Sequence, residues 1–85
     1  MNIRTKIVET LTEIFEEEEL EAPAVTDEVL LLDTGLDSLG FAVLVTRLED
    51  ELGYDPFALL DEPLYPATFG ELVEVYERFA SHARA

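Results

Sequence analysis

The sequence predicts an all-α fold, a small bundle of three main helices plus one short helix, with a long loop between the first two helices. Apolar residues recur at spacings of three and four in three separate segments, as they do on one face of a helix. No segment alternates between polar and apolar residues as a half-buried strand would. Capping and turn residues separate the segments, and a chain of 85 residues is expected to form one domain, 1–85.

The first helix is predicted over about residues 3–18. Its apolar face is formed by Ile3, Ile7, Leu11, Ile14 and Phe15. An acidic run at residues 16–19 follows directly. Negative charge near a helix C-terminus opposes the helix dipole, so we expect the helix to fray there.

A long connection, Pro23 and residues 24–37, precedes the second helix, which rules out simple up-and-down connectivity. We expect Leu30, Leu31 and Leu32 to pin this loop to the core. Asp37 occupies the position of an N-cap, so the second helix is predicted over about residues 38–52. Its predicted apolar stripe is Leu39, Ala42, Val45, Leu48 and Leu52, and Gly53 supplies a left-handed stop.

The remaining helices follow from proline and capping signals. Pro56 is compatible with a first helical turn, so a short third helix is predicted over about residues 57–60, before Pro63 and Pro66 interrupt the chain. Residues 68–71 have the form of a capping box, which starts a last helix over about 69–80. The apolar side of that helix is Phe69, Leu72, Val73, Tyr76, Phe79 and Ala80.

The composition excludes several classes of function. Twenty Asp and Glu residues against five Lys and Arg give a formal net charge of −15, which repels nucleic acid and anionic membranes and favours basic protein partners. The absence of cysteine excludes disulfides and thiolate metal sites. The apolar runs are too short to span a bilayer, and residues 1–20 lack the features of a signal peptide, so we expect a cytoplasmic protein.

The residues needed for catalysis are scarce. The one histidine, His82, lies in the C-terminal tail, where we expect it to be solvated, and no nucleophile and base pair is evident. A calcium loop starting at Asp33 would place Leu44 at the twelfth position, where a bidentate glutamate is required. We therefore expect neither catalytic residues nor a metal site.

The most informative segment is Gly35-Leu36-Asp37-Ser38-Leu39. It places a serine hydroxyl at the N-terminus of the second helix, beside a carboxylate. A phosphodiester attached there would meet unpaired backbone N–H groups and the positive end of the helix dipole. The alternative interpretation is that Asp37 and Ser38 only cap the helix.

The order of the predicted elements along the chain adds to the evidence from this segment. The acidic chain begins with a predicted helix and a long loop, which lead to the Asp-Ser-Leu segment. There follow an apolar helix ending in Leu48-Glu49-Asp50-Glu51-Leu52-Gly53, a short proline-bounded helix and a capped last helix. Along nearly its whole length the sequence resembles the acyl carrier protein family.

The resemblance implies that Ser38 receives 4'-phosphopantetheine from coenzyme A through a phosphopantetheinyl transferase, and that the thiol of this arm holds a cargo as a thioester. It further implies that Asp37 helps to hold the magnesium ion in the transferase complex and that Leu39 contacts partner enzymes near the arm. The protein would be a non-catalytic, free-standing carrier, and we expect a monomer.

The exposed face of the second helix predicts the docking surface, with Leu39, Phe41, Arg47, Glu49 and Asp50 as its residues. Fatty-acid carriers generally have acidic residues where this chain has Gly40 and Val43, and they lack a positive charge at the position of Arg47. This difference favours a specialised carrier of secondary metabolism rather than of housekeeping fatty acid biosynthesis, served by an acyl- or aminoacyl-activating ligase and downstream acyltransferases. Periodicity also allows Phe41 and Val43 to be core residues.

Two alternatives stay open at the level of the sequence. Residues 55–60 also resemble the short third helix of peptidyl carriers, whereas residues 35–38 fit the acyl type better. A different class of function, an acidic helical interaction module without a prosthetic group, is equally compatible with the composition.

Overall fold

The computed structural model of the protein describes residues 2–22, 24–62 and 64–83; Pro23 and Pro63, which the sequence places at chain interruptions, lie outside these ranges. The helices are α1 (Ile3–Glu17), α2 (Ser38–Leu52), α3 (Pro56–Leu59) and α4 (Phe69–Arg78), with 3₁₀ turns at Leu31–Thr34 and Ala80–His82. The described residues contain no strand, only an isolated bridge between Leu30 and Thr68. The predicted all-α fold of three main helices and one short helix is confirmed.

Helix α1 packs against both α2 and α4, and its predicted apolar face is correct. Ile7, Leu11, Ile14 and Phe15 are buried, and Ile3 packs partly buried against them. The helix ends at Glu17 within the acidic run, and Glu19 adopts a left-handed conformation with φ 60°. The run therefore marks a helix end, as the unfavourable dipole predicted.

The buried face of α2 differs from the predicted stripe. Leu44, Leu48 and Leu52 are fully buried, a row at intervals of four residues. Leu48 and Leu52 were predicted, but the prediction was wrong for Leu39 and Ala42, which are exposed. The predicted residues Leu39, Ala42 and Val45 are spaced by three, and a row with that spacing turns away from the interface with α1 toward the N-terminus of α2. The row through Leu44 is spaced by four and stays at that interface.

The long loop is held by one leucine and by the backbone. Leu31 is buried, but Leu30 and Leu32 are exposed, so the prediction that all three pin the loop was wrong. Consecutive residues of a 3₁₀ turn point in different directions, and only one of the three can face the core. Backbone bonds from Leu31 to Ala67 (2.9 Å) and from Phe69 to Val29 (2.9 Å) fasten the loop to the start of α4.

The shorter elements differ from prediction by one or two residues. Helix α3 starts at Pro56, one residue earlier, because Asp55 caps it by accepting from the Phe57 N–H at 2.9 Å. The capping box at the start of α4 is confirmed, but the helix ends at Arg78 and a 3₁₀ turn replaces its last turn. Among the described residues, no helix is long and apolar enough to cross a membrane.

Candidate functional site

Ser38 is the first residue of α2, and its side chain is exposed. Asp37 precedes it with extended backbone (φ −90°, ψ −178°) and caps the helix, since its carboxylate accepts from the Gly40 N–H at 2.7 Å. The Asp37 carbonyl accepts the first helical bond, from the Phe41 N–H at 2.8 Å. The N-cap prediction is confirmed, and the cap leaves the Ser38 hydroxyl facing solvent at the positive end of the helix.

The turn before Asp37 fixes the direction in which the chain enters α2. Gly35 has φ 92°, a left-handed conformation that favours glycine. The Thr34 hydroxyl donates to the Leu31 carbonyl at 2.6 Å and accepts from the Leu36 N–H at 3.3 Å. Leu36 is buried, so the residue immediately before Asp37 is anchored in the core.

Gly40 has a packing role that the sequence did not reveal. A Cβ atom at this position would lie 2.8 Å from Leu36 Cδ1 and 3.2 Å from the Asp37 carboxylate oxygen. Any side chain here would displace the Leu36 methyl group or crowd the cap. Gly40 therefore allows Leu36 of the loop to pack closely against the first turn of α2.

An apolar cavity of about 400 Å³ opens beside Ser38. Its wall comes from the loop, the first turn of α2 and the segment before α4: Leu30, Leu31, Leu32, Leu36, Asp37, Ser38, Phe41, Tyr65, Pro66 and Ala67. Asp37 is the one ionisable carboxylate in this wall. The size lies within the roughly 300–1,000 Å³ common for small-molecule sites.

Sequence reasoning did not identify Leu32, Tyr65 and Pro66 as part of this site. Leu32 and Tyr65 are each 84% exposed, a large apolar surface around one hydroxyl. The only sequence signal for these residues was that Leu32 and Tyr65 are bulky residues in segments that contain turn and proline residues. Their proximity to Ser38 depends on the docking of the long loop onto the start of α4, which no local pattern encodes.

The predicted docking residues separate along α2. Leu39 is next to Ser38 and is 73% exposed, whereas Phe41 and Val43 are half-buried and pack against the core. Glu49 and Asp50 are exposed near the other end of the helix. Leu39 and Asp50 are eleven positions apart in the sequence, which is roughly 16 Å along a helix axis.

Arg47 is engaged within the molecule. Its guanidinium donates two hydrogen bonds to the Glu17 carboxylate, at 2.7 and 2.6 Å, the paired geometry that suits arginine. The hydrogen bond to Arg47 lowers the pKa of Glu17, and the same bond raises the pKa of Arg47. The pair joins the end of α1 to α2 and reduces the positive charge that Arg47 presents to partners.

Over residues 2–22, 24–62 and 64–83, no His, Cys, Asp and Glu side chains cluster as a metal site requires. His82 is exposed, with its ring 6.5 Å from that of Tyr54 and 6.1 Å from that of Phe79.

The residues around Ser38 fit a phosphate-linked group that carries an apolar extension. The hydroxyl is accessible, the first N–H groups of a helix have no intrahelical partner, and the adjoining cavity is apolar. Ser38 and Leu39 form the start of α2, and the loop leucines line the cavity beside it.

Comparison with known proteins agrees with this arrangement. A family model described as a phosphopantetheine attachment site matches residues 6–58, from α1 through most of α3. No curated protein and no solved structure gives a significant match. Proteins of the matched family hold 4'-phosphopantetheine covalently on a serine, are generally non-catalytic carriers, and work with phosphopantetheinyl transferases and acyl-processing enzymes.

Proposed function

Because this chain belongs to the phosphopantetheine attachment-site family, we propose that Ser38 is its attachment residue and that the protein carries an acyl or aminoacyl group as a thioester. The observation that carries this proposal is the exposed Ser38 hydroxyl at the capped N-terminus of α2. The other serine, Ser81, lies outside the matched residues, in the last 3₁₀ turn. When bound, the group supplies a flexible arm and the thiol on which the cargo is held.

Ser38 and its surroundings have defined roles in this proposal. The Ser38 oxygen forms the bond to phosphorus, its proton leaves to the transferase, and the nucleotide half of coenzyme A is released. The N-terminus of α2 then lowers the cost of holding a phosphodiester anion at that position. Fixing the attachment point on a helix, rather than on a free loop, gives every partner enzyme the same starting geometry.

Asp37 would have two roles. In the free protein its carboxylate caps α2 through Gly40. In the transferase complex the same carboxylate would help to hold magnesium, a hard cation that prefers carboxylate and phosphate oxygens. Replacement by asparagine separates the roles, since asparagine is a good N-cap but a weaker magnesium ligand.

The direct test is intact mass after incubation with a broad-specificity phosphopantetheinyl transferase, coenzyme A and magnesium. We expect the wild-type protein and the matched control Ser81→Ala to gain one phosphopantetheine, and Ser38→Ala to gain none. No gain in the wild-type protein, under conditions that fully convert a known carrier, would contradict the proposal. That result would favour an acidic interaction module in which Asp37 and Ser38 only cap α2.

We further propose that partners dock along α2, using Leu39 and the half-buried Phe41 near the arm and Arg47, in its pair with Glu17, together with Glu49 and Asp50 farther along. Charges are absent from residues 38–46, and Glu49 and Asp50 are exposed beyond them. A fitting partner would have an apolar surface at its active-site entrance and basic residues roughly 16 Å away. Alanine at Glu49 and Asp50 should slow association and reduce its salt dependence.

The modified docking face supports a specialised pathway. Gly40 and Val43 remove two acidic positions expected in fatty-acid carriers, and Arg47 is tied to Glu17. We propose a dedicated acyl- or aminoacyl-activating ligase and downstream acyltransferases as partners, and a monomeric, cytoplasmic carrier. Competition kinetics test this: fatty-acid malonyl transferase and condensing enzymes should use the loaded protein much less efficiently than the main carrier of the same cell.

A further inference from the structure

Two cavities meet at a pair of aromatic rings close to Ser38. The cavity of about 400 Å³ beside Ser38 and a larger one of about 640 Å³ are both lined by Phe41 and Tyr65. The larger cavity lies between α2 and residues 57–62, 64 and 65, with Val45, Phe57 and Leu60 in its wall. The two rings therefore stand at the boundary between the space next to the attachment residue and a second apolar space.

The Phe41 ring is fixed from behind. It lies edge-on to Phe57, with ring centroids 5.7 Å apart and planes at 64°. Phe57 in turn lies edge-on to Tyr76 at 6.0 Å and 79°, and Tyr76 is fully buried. Such contacts stabilise ring positions beyond simple burial, so Phe41 is anchored to the core.

The Tyr65 ring has a different environment. It is 84% exposed and belongs to the irregular segment between α3 and α4. One side of the boundary is thus a ring anchored to the core, and the other is a solvent-facing ring that lines the same two cavities.

We propose that Phe41 and Tyr65 form a partition that confines an attached cargo to the cavity beside Ser38 and excludes it from the larger cavity. This inference rests on the proposed function, and it names the class of cargo: short acyl or small aminoacyl groups. Such a cargo is shielded within the first cavity, whereas a longer chain projects into water. Phe41 acts as a specificity-determining residue, since its ring sets the length at which shielding stops.

The wall chemistry of the two cavities agrees with this division. Asp37 is the one carboxylate lining the cavity beside Ser38, whereas Asp61 and Glu62 both line the larger cavity. An apolar chain that passed the partition would approach two carboxylates and compete with their hydration. The smaller cavity is therefore the better environment for an apolar cargo.

The test loads the full chain with straight-chain acyl groups of increasing length and measures the thermal midpoint relative to the same variant with an unacylated arm. In the wild-type protein we expect the midpoint to rise over the first few carbons and then to change by less than about 1 °C up to a ten-carbon chain. In Phe41→Ala we expect it to keep rising, by roughly 5 °C or more over the longer chains, because each added methylene is buried. The rise in thermal midpoint of Phe41→Leu should fall between those of the wild-type protein and Phe41→Ala. This variant replaces Phe41→Ala in the test if the alanine variant folds poorly.

Val45→Ala is the matched control. Val45 lines the larger cavity but not the one beside Ser38, so this change enlarges the excluded space and leaves the partition closed. We expect a wild-type profile. The partition is overturned by a continuous rise in the wild-type protein, by a plateau in both Phe41 variants, or by a rise in Val45→Ala equal to that in Phe41→Ala. Failure of loading itself, visible by intact mass, would overturn the proposed function and the partition with it.

Discussion

The two halves of α2 differ in burial. In the first half, Ser38 and Leu39 face solvent and full burial begins only at Leu44, whereas Leu48 and Leu52 of the second half are both fully buried. The second half anchors the helix against α1, and the first turn extends beyond that anchor. A helix held firmly at one end can present a side chain at the other end in a fixed position without burying it.

The halves also differ in charge. Residues 38–46 carry no charged side chain. In the second half, Arg47 pairs with Glu17, and Glu51 lies 3.2 Å from the Lys6 ammonium. Charges of α2 that face α1 are thus engaged within the molecule, while Asp37 is the one carboxylate that lines the otherwise apolar cavity beside Ser38. Under the proposed function, recognition near Ser38 would depend on apolar contact, and recognition by charge would occur at a distance from it.

The largest expected effect contrasts one leucine from each half. Leu48→Ala removes a fully buried side chain and should destabilise the protein by about 2–5 kcal/mol. Leu39→Ala removes an exposed side chain and should change stability by less than about 0.5 kcal/mol, while slowing modification by the transferase. Urea unfolding and transferase kinetics on both variants measure this contrast, and a large stability loss in Leu39→Ala would contradict it.

The second contrast compares the caps of α2. Asp37→Ala should cost about 1 kcal/mol through loss of the bond to the Gly40 N–H. Gly53→Ala should cost roughly 1–2 kcal/mol because φ is 90° there.

Only the first cap is also expected to serve function. Asp37→Asn should therefore retain stability in urea unfolding and still reduce transferase turnover. Normal turnover of Asp37→Asn at limiting magnesium would contradict the second role of Asp37.

A third prediction concerns Tyr54 and Tyr76, which belong to the same core cluster as Leu48 and Leu52 of α2. Burial raises the pKa of both Tyr54 and Tyr76 above the ordinary tyrosine value. The unfolded chain then loses these protons first, so their contribution to stability is complete below about pH 10 and is lost as the pH rises further. Urea midpoints between pH 8 and 11 should fall, and they should fall less steeply in Tyr76→Phe.

The two tyrosines should differ at neutral pH. The Tyr54 hydroxyl donates to the Tyr76 carbonyl at 2.6 Å, whereas the Tyr76 hydroxyl is buried and has no hydrogen-bond partner among the described residues. Tyr54→Phe should therefore lower the free energy of unfolding by about 1 kcal/mol. Tyr76→Phe should leave the free energy of unfolding unchanged or raise it slightly. Equal losses in the two variants would contradict this difference.

The smallest effect is expected at the Arg47–Glu17 pair, because both groups are substantially exposed. Arg47→Gln should lower the urea midpoint slightly at pH 7, and less so in high salt. Because the pKa of Glu17 is lowered in the native state, this contribution is present above the ordinary glutamate pKa and is lost as the pH falls through the lowered value. Glu17→Gln should lower the urea midpoint in the same way. A difference in urea midpoint between either variant and the wild-type protein that persists at low pH would be inconsistent with ion pairing.

Local signals allowed much of this structure to be predicted. Asp37, Gly53 and the box at residues 68–71 are capping patterns confined to a few neighbouring residues, and each lies where predicted. The burial of Leu44 in place of Leu39 was not predictable in this way. Several rows of apolar residues run along α2, and which row is buried depends on where α1 crosses the helix.

The cavity beside Ser38 required the three-dimensional structure for the same reason. Ser38 and Asp37 could be identified from a short segment. Leu32 and Tyr65 come from two distant segments that meet because the long loop bonds to the start of α4. Patterns of local sequence do not contain that pairing.

The most direct measurement for the central claim is residue-level localisation of the added group. Wild-type protein modified by the transferase would be fragmented and analysed by tandem mass spectrometry. We expect the phosphopantetheine mass to lie on Ser38 in every modified molecule, with Ser81 unmodified. Modification at Ser81 or any other residue, or at several residues in parallel, would contradict the claim that the capped N-terminus of α2 is the attachment site.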